Sequence, residues 1–390
     1  MRSFHARLAG IVLAAVGIRL VAAYFNRRYP VMGDALVYHA EARFLADGEG
    51  FRRFLTDVPT AEHPPLHIVL LAGFDLLGAH STAVQKALLG LVGSATVAVI
   101  GFLGRAVRDG PTGLIAAAIA ALYPMLWLPD AALMSEGTSM LLTALALLVA
   151  YRPRTARTAA ALGVVIGLGA LTRGELIGLL ALLVLDRRRA WVTLLACALV
   201  LAPWTIRNAL TFERPVLISS NTGGLLAGAN CYRSYYTPEI GTWVINPCLH
   251  DRPPGDEAEA DAGYRARGLR YARDHLERLP LVMVVRLGRL LDVYRPWTQG
   301  VFYQAAEGRN PRAAKAGLIF YWLLLPFGIA GAFWTGRRGA PLLVPVGLAV
   351  LVGVLTYGST RFRTTAEPSL VVFSALALRR ALPRARSRSG

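Results

Sequence analysis

Apolar runs dominate the chain and recur along its whole length. Stretches near residues 8–25, 82–104, 112–128, 131–150, 157–172, 175–186, 190–209, 314–334, 341–357 and 367–380 predict ten helical spans. A bilayer needs roughly 17–25 apolar residues per helical crossing. Some runs are shorter than that, and 157–186 also reads as one broken pair. Backbone groups in lipid have no water to bond, so helices are the expected spans. A membrane barrel would show alternating strands of about 10 residues, and the chain has no such pattern.

The linkers between the runs are of two kinds. MRSFHAR, GRAVRDG, YRPRTAR, DRRR, TGRRG and RRALPRARSRSG are rich in arginine, whereas LPD and LTRGE carry almost no surplus positive charge. Short cytoplasmic loops collect arginine and lysine. That rule puts the six basic linkers and both termini inside, and the remaining loops outside. The segment HPPLHIVLLAGFDLLG (63–78) has about a dozen apolar residues interrupted by Asp75. It is too short to cross and reads as re-entrant or interfacial. Counting it as a span would invert every later arginine cluster, so it is laid on the outer surface. The first run ends in LVAA, which resembles a cleavage region, but it is read as a retained anchor.

Three units follow. Residues 1–209 form an N-terminal membrane module that includes a first outer loop, 26–81. Residues 210–312 form a small mixed outer region, and 313–390 a C-terminal membrane module. In the first outer loop, Ala35–Leu45 predicts a short amphipathic helix with Asp34 as its N-cap. In the second, 211–250 reads as strand-like and turn-rich, with Gly223, Gly224 and Gly228 as punctuation. Residues 261–295 predict an amphipathic helix. Its arginines (Arg265, Arg267, Arg270, Arg273, Arg278, Arg286 and Arg289) would face solvent or anionic headgroups. Cys231 and Cys248 share this outer loop and can form a disulfide in an oxidising compartment, while Cys197 falls within a span.

Composition agrees with the pattern. The chain is 55% apolar and 17% charged, against about 25% charged in soluble domains. The net charge is +18, but the arginines lie between hydrophobic runs rather than on one soluble face. That distribution argues against nucleic acid as a partner.

Charged groups at membrane depth are costly and tend to mark sites. Four places qualify: Glu136 at the start of a span, Arg173 and Glu175 at a turn, Arg207 and Asn208 at another span end, and Arg361, Arg363 and Glu367 in a late loop. In the topology above all four face the side that holds Asp34. Guanidinium forks suit a phosphate, and a carboxylate nearby suits a general base acting on a hydroxyl. Phosphate plus base points to group transfer from a membrane-anchored phosphate donor. His63 and His67 stand four apart, but Pro64 and Pro65 come between them and the order differs from the His-Glu-x-x-His zinc pattern. They are read as an anchor or a phosphate contact. No metal or other cofactor is required, although a divalent ion is compatible.

The ordered set GDALVYHAEARFLADGEGF, PTAEHPPLHIVLLAGFDLLG, ALYPMLWLPDAALMSEGTSMLLTAL and RFRTTAEPSLVV resembles the membrane-embedded GT-C glycosyltransferases. The nearest flavour is the bacterial branch of the protein O-mannosyltransferase and aminoarabinose transferase superfamily. The resemblance implies an all-α helix bundle in the cytoplasmic membrane. It implies transfer of a sugar from a polyprenyl-phosphate donor to an extracytoplasmic acceptor (glycan, lipid or protein), with inversion. By it Asp34 is the catalytic base and Glu136 a second catalytic-site acid. Arg361, Arg363, Arg173 and His63 are donor-phosphate ligands, and Tyr38, Arg207 and Asn208 are candidates on the acceptor side. The chain has Gly33-Asp34-Ala35 where the mannosyltransferases have an Asp-Glu pair, and it lacks a large soluble C-terminal domain. Two alternatives are a transporter or flippase for lipid-linked glycans and a ligase or polymerase using a pyrophosphate donor.

Overall fold

The structure is a computed structural model that describes residues 2–185 and 187–381. The end of the basic tail, from residue 382, and Asp186 of DRRR lie outside the described residues. Among the described residues, eighteen α-helices follow one another. The first half holds α1 (Arg2–Phe25), α2 (Asp34–Ala46), α3 (Pro65–Leu76), α4 (Thr82–Val107), α5 (Gly110–Leu122), α6 (Leu128–Ala131), α7 (Glu136–Ala150), α8 (Ala156–Ala170) and α9 (Ala190–Thr211). The second holds α10 (Thr222–Ala229), α11 (Tyr232–Tyr236), α12 (Glu257–Asp274), α13 (Leu279–Leu290), α14 (Tyr303–Ala306), α15 (Pro311–Thr335), α16 (Ala340–Leu355), α17 (Thr360–Arg363) and α18 (Glu367–Ala381).

Helix lies within every place where the hydropathy pattern put a span, but the run 112–128 breaks at Tyr123 and the run 131–150 is continuous helix only from Glu136. Among the described residues, four helical stretches are long and apolar enough to cross a membrane: Ser3–Phe25, Thr82–Val107, Arg187–Thr211 and Pro311–Leu355. The short run Gly174–Leu185 is wound as a 3-10 helix of 12 residues. At about 2.0 Å rise per residue, it reaches about 24 Å, more than the same residues would as α-helix. Helix α3 is 12 residues long and starts at Pro65, whose fixed φ and missing N–H suit a first helical position.

The membrane core is built from α1, α4, α5, α7, α15 and α18. Val97, Ile100 and Leu103 of α4 meet Ala116, Ala117 and Ala120 of α5, and Leu318 and Tyr321 of α15 meet Val371 and Val372 of α18. Without a hydrophobic drive between helices in lipid, small residues set how closely they approach. A Cβ on Gly113 would lie 2.3 Å from the Gly101 carbonyl, and one on Gly331 1.9 Å from that of Phe373. Leu13, Phe25, Trp191, Leu199, Leu323 and Phe333 are exposed on the outside of the bundle, as lipid-facing side chains would be.

The basic linkers gather in two sets. His5 meets Arg105 at 3.1 Å, and Arg379 approaches Asp109 at 3.7 Å. The Tyr151 hydroxyl donates to the Arg338 carbonyl at 2.5 Å, and Arg152, Arg154 and Arg189 line one small cavity.

Three expectations are corrected. Residues 211–250 contain no strand; the described chain has one isolated bridge, Arg52 to Pro59. All three glycines lie within α10 rather than at turns, and Gly223 and Gly228 are packing residues, whereas Gly224 faces open space. Helix α10 lies so close to α12 that a Cβ on Gly223 would sit 1.8 Å from the Asp261 carbonyl oxygen. The amphipathic stretch is two helices, parted after Asp274 and restarted with Pro280 in the first turn of α13. Arg286 and Arg289 are buried rather than facing headgroups. They satisfy loop carbonyls: Arg286 donates to Ala229 at 2.5 Å, and Arg289 to Ile240 at 2.6 Å. Finally, Gly33 and not Asp34 caps α2. Gly33 adopts φ +57°, a left-handed conformation that suits glycine, and Asp34 becomes the first helical residue. Its carboxylate is thereby free to point elsewhere.

Candidate functional site

Asp34 turns to Arg361. The Asp34 carboxylate lies 2.7 Å from Arg361 Nη2, although 327 positions along the chain separate the two residues. Arg361 sits on the single turn of α17, and its own amide donates to the capping Ser359 hydroxyl at 3.3 Å. The turn is pressed onto α13: a Cβ on Gly358 would come 2.4 Å from the Arg286 carbonyl oxygen.

Each nitrogen of Arg361 faces a different carboxylate. Nη2 faces Asp34, Nε faces Glu136 at 2.6 Å, and Nη1 faces Glu307 at 3.3 Å. Glu136 in turn gathers three guanidinium groups on one oxygen, with Arg309 at 3.2 Å and Arg173 at 3.3 Å beside Arg361. Its other oxygen is buried and has no hydrogen-bond partner. Arg173 also holds Glu175 at 2.6 Å, and Arg309 holds Gln304. Three arginines therefore stand against four carboxylates: Asp34, Glu136, Glu175 and Glu307. Most of this is buried. The open side is at Asp34, whose side chain is 35% exposed, and at Glu307, which is 23% exposed.

The turn bearing Glu136 is braced from beneath. Leu133 takes a left-handed φ of +59° between α6 and α7, a strained state for a branched side chain. The buried pair Arg19–Asp130, at 3.4 Å, ties α1 to α6 just before it. Gly93 and Gly137 leave room for that carboxylate; a Cβ at either would lie 1.9 Å from an Asp130 oxygen.

His63 Nε2 lies 3.9 Å from Asp34, next to the Pro64–Pro65 start of α3. Tyr38, one turn after Asp34 on α2, packs edge-on against His63 and His67 at 4.9 and 5.1 Å between ring centres, and its hydroxyl is 3.4 Å from Ser135 Oγ. Burial pushes the Asp34 carboxyl up, but Arg361 and His63 outweigh it and hold the group below the usual carboxylate range. Burial pushes Glu307 up, and there Arg361 and Arg309 do not fully offset it.

Of the residues singled out in the sequence, Asp34, Glu136, Arg173, His63, Tyr38 and Arg361 come together. Others do not. Arg363, two residues from Arg361, points the opposite way. It is buried between Asp292 at 2.5 Å and Glu367 at 2.8 Å, with its guanidinium 3.5 Å from the centre of the Tyr321 ring. Arg207 ties the first outer loop to α9 through the carbonyls of Thr60 at 2.9 Å and Phe51 at 3.2 Å. Asn208 is buried and donates to the Val216 carbonyl at 3.2 Å. Cys231 and Cys248 are disulfide-bonded within the 210–312 region.

Glu307 and Arg309 were not anticipated. Their signal was present: EGRN is a charged quartet placed directly before the apolar run of α15. That is the same signature as the four polar places that were singled out.

Beside the cluster lies an apolar groove of about 580 Å³. Gly17, Val21, Phe25, Leu128 and Ala131 line it, with Arg312 at one edge. Asn26, which also lines it, donates to the Gly308 carbonyl at 3.4 Å, so the groove wall is continuous with the segment that carries Glu307 and Arg309. Among the described residues no group of three or more His, Cys, Asp or Glu side chains is arranged to hold a metal ion.

No family model matches this chain, and no curated protein sequence does. Solved structures do. The oligosaccharyltransferase of Archaeoglobus fulgidus, tethered with an acceptor peptide containing the NVT sequon, superposes with a TM-score of 0.57 at 15% identity, over 96% of this chain and 49% of that one. The same organism's AglB, in complex with an inhibitory peptide and a dolichol-phosphate, gives a TM-score of 0.53 at 16% identity, over 96% of this chain and 50% of that one. ArnT from Cupriavidus metallidurans bound to undecaprenyl phosphate gives 0.45 at 16% identity, over 95% and 78% of the two chains. This chain thus spans about half the length of the oligosaccharyltransferase structures it matches. The likeness bears out the expected fold: the helices are arranged as a GT-C-type membrane bundle.

Proposed function

We propose that the chain is an integral-membrane glycosyltransferase that moves a sugar from a polyprenyl-phosphate donor to an acceptor hydroxyl outside the cytoplasmic membrane. The observation that carries this reading is the contact between Asp34 and Arg361, a base candidate and a phosphate-binding candidate meeting at 2.7 Å. The groove whose wall joins the Glu307–Arg309 segment suits the isoprenoid chain, being lined mostly by apolar residues with Arg312 among them. A dolichol-phosphate occupies a neighbour of the same fold, which supports a lipid-linked donor here.

In this reading the reaction is a single displacement. The donor phosphate enters between Arg361, Arg309 and Arg173 and competes with Asp34 for Arg361 Nη2. Loss of that partner raises the basicity of Asp34, so the base is switched on when the donor is in place. Asp34 then accepts the acceptor proton, the acceptor oxygen attacks the anomeric carbon from the face opposite the phosphate, and configuration inverts. The charge that develops on the leaving phosphate meets guanidinium groups already fixed by Glu136, which need little reorganisation. His63 adds a further donor beside Asp34. No metal is called on, because the arginines perform its electrostatic role.

The proposed topology has ten crossings, both termini in the cytoplasm, and the Asp34 cluster at the outer face. The basic linkers then stay inside as the charge rule requires.

The test is turnover. Purified protein in detergent is given labelled polyprenyl-phosphate and polyprenyl-pyrophosphate sugars, with Asp34→Asn as control. Consumption of a monophosphate donor that depends on Asp34 supports the reading. Consumption of pyrophosphate donors alone would shift it to a ligase or polymerase type, and lipid movement without sugar transfer would shift it to a flippase.

A further inference from the structure

Arg361 has no nitrogen without a carboxylate beside it. Counted without His63, three arginines and four carboxylates leave the cluster with one surplus negative charge. A donor phosphodiester brings another. Binding in a buried site is then opposed unless one carboxylate becomes neutral. We infer that Glu307 takes up a proton as the phosphate donor enters and hands it to the leaving phosphate. This inference rests on the donor reading above.

The geometry favours Glu307 over its neighbours. Glu136 is fixed by three arginines and Glu175 by Arg173 at 2.6 Å. Asp34 has the shortest contact to Arg361 Nη2. Glu307 has the longest contacts, 3.3 Å to Arg361 and 3.6 Å to Arg309, and its Oε2 has no hydrogen-bond partner. The groups that face it are Arg361 from α17, Arg309 from its own turn, Glu136 from α7, Asp34 from α2 and the Tyr357 phenol from the segment before α17. Two of these are cations and two are carboxylates. Burial adds to the carboxylates and raises its proton affinity.

The step balances. The bond from the anomeric carbon to the phosphate oxygen breaks and one to the acceptor oxygen forms. The acceptor proton goes to Asp34. The leaving phosphate, a monoester whose second ionisation lies near pH 6, takes the proton of Glu307 and departs as a monoanion. Asp34 then returns its proton to solvent, and Glu307 regains one with the next donor. Glu307 touches the phosphate in this scheme and so serves as a catalytic acid. By lowering the charge of the product it also speeds release.

The probe is a farnesyl methyl phosphodiester, which carries one negative charge throughout the range used. Its binding to the full chain in detergent is measured by calorimetry from pH 6.5 to 9, in buffers of different ionisation enthalpy. The wild-type chain is expected to take up about one proton, with affinity falling about tenfold per pH unit in the upper range. Glu307→Gln is expected to bind without proton uptake, with a flat pH profile and more tightly than wild type at pH 8.5. Glu307→Asp is expected to restore the pH slope. A slope that persists in Glu307→Gln overturns the inference and leaves the donor reading standing. Absence of binding to every variant overturns both.

Discussion

Arg361 and Arg363 belong to the same turn, yet they serve opposite kinds of charge cluster. Arg363 is closed in. Asp292 and Glu367 flank it, Tyr321 covers it, and all three charged side chains are buried. Arg361 lies at the centre of an open cluster with two arginines beside it and carboxylates exposed at Asp34 and Glu307. The closed cluster pins α17 to α13 and α18 and has no side from which a ligand could enter. The open one has a mouth, shared partners and an adjoining groove. Two arginines two positions apart in a motif cannot be assigned the same role, because a single helical turn points alternate side chains to different sides.

Substitutions sharpen this contrast. The largest effect is expected from Asp34→Asn: transfer falls by about 10²–10⁴-fold, while the lipid phosphate still binds in calorimetry. Arg361→Gln follows, with a loss of about 10²–10³-fold in transfer and weakened donor binding, the fold being retained in detergent size-exclusion. Arg363→Gln acts on the fold first. Removing one partner of a buried ion pair costs about 3–5 kcal/mol, read as a lower unfolding midpoint, and any activity loss tracks the fraction unfolded. If instead Arg363→Gln weakened phosphate binding with the midpoint unchanged, the division between the two clusters would be wrong.

Glu41 supplies a third case, a carboxylate with no arginine of its own. It is fully buried on α2 with neither oxygen hydrogen-bonded. Burial, with Glu62 and Glu257 nearby, pushes its carboxyl up to about 8 against the pull of Arg53. Between its ordinary 4.5 and about 8 the folded chain holds a proton that the unfolded chain has released. Stability therefore falls as pH rises through that window. Glu41→Gln removes this loss. Its unfolding midpoint should match wild type near pH 5 and exceed it increasingly toward pH 8, by about 1 kcal/mol per pH unit. A constant offset between the two across pH would show that Glu41 does not titrate there.

Much of the architecture was legible along the chain. Apolar runs marked the helices because lipid leaves the backbone no other partner. Asp34, Glu136, Arg173 and Arg361 were legible for a related reason: a charge bordering an apolar run is costly, so its position is informative. Arg207 and Asn208, singled out on the same ground, do not join the cluster. Their polar groups satisfy loop carbonyls, a use that looks identical in sequence. The same reasoning also passed over Glu307 and Arg309, although the same signature, charge directly before an apolar run, stands there. The glycines of 222–228 read as turns because nothing local distinguishes a glycine that bends the chain from one that admits a neighbouring helix.

Hydropathy and arginine spacing by themselves determined the helical membrane class, the places of the apolar helices and which loops carry charge, since these follow from the cost of burying polar groups in lipid. Only the tertiary structure decided which charges meet. Five segments far apart in the chain meet around Glu136 and Arg361, and the partner of each arginine depends on helix rotation and close approach at glycines. Those are distances of a few ångströms, and a linear pattern of residue types does not contain them.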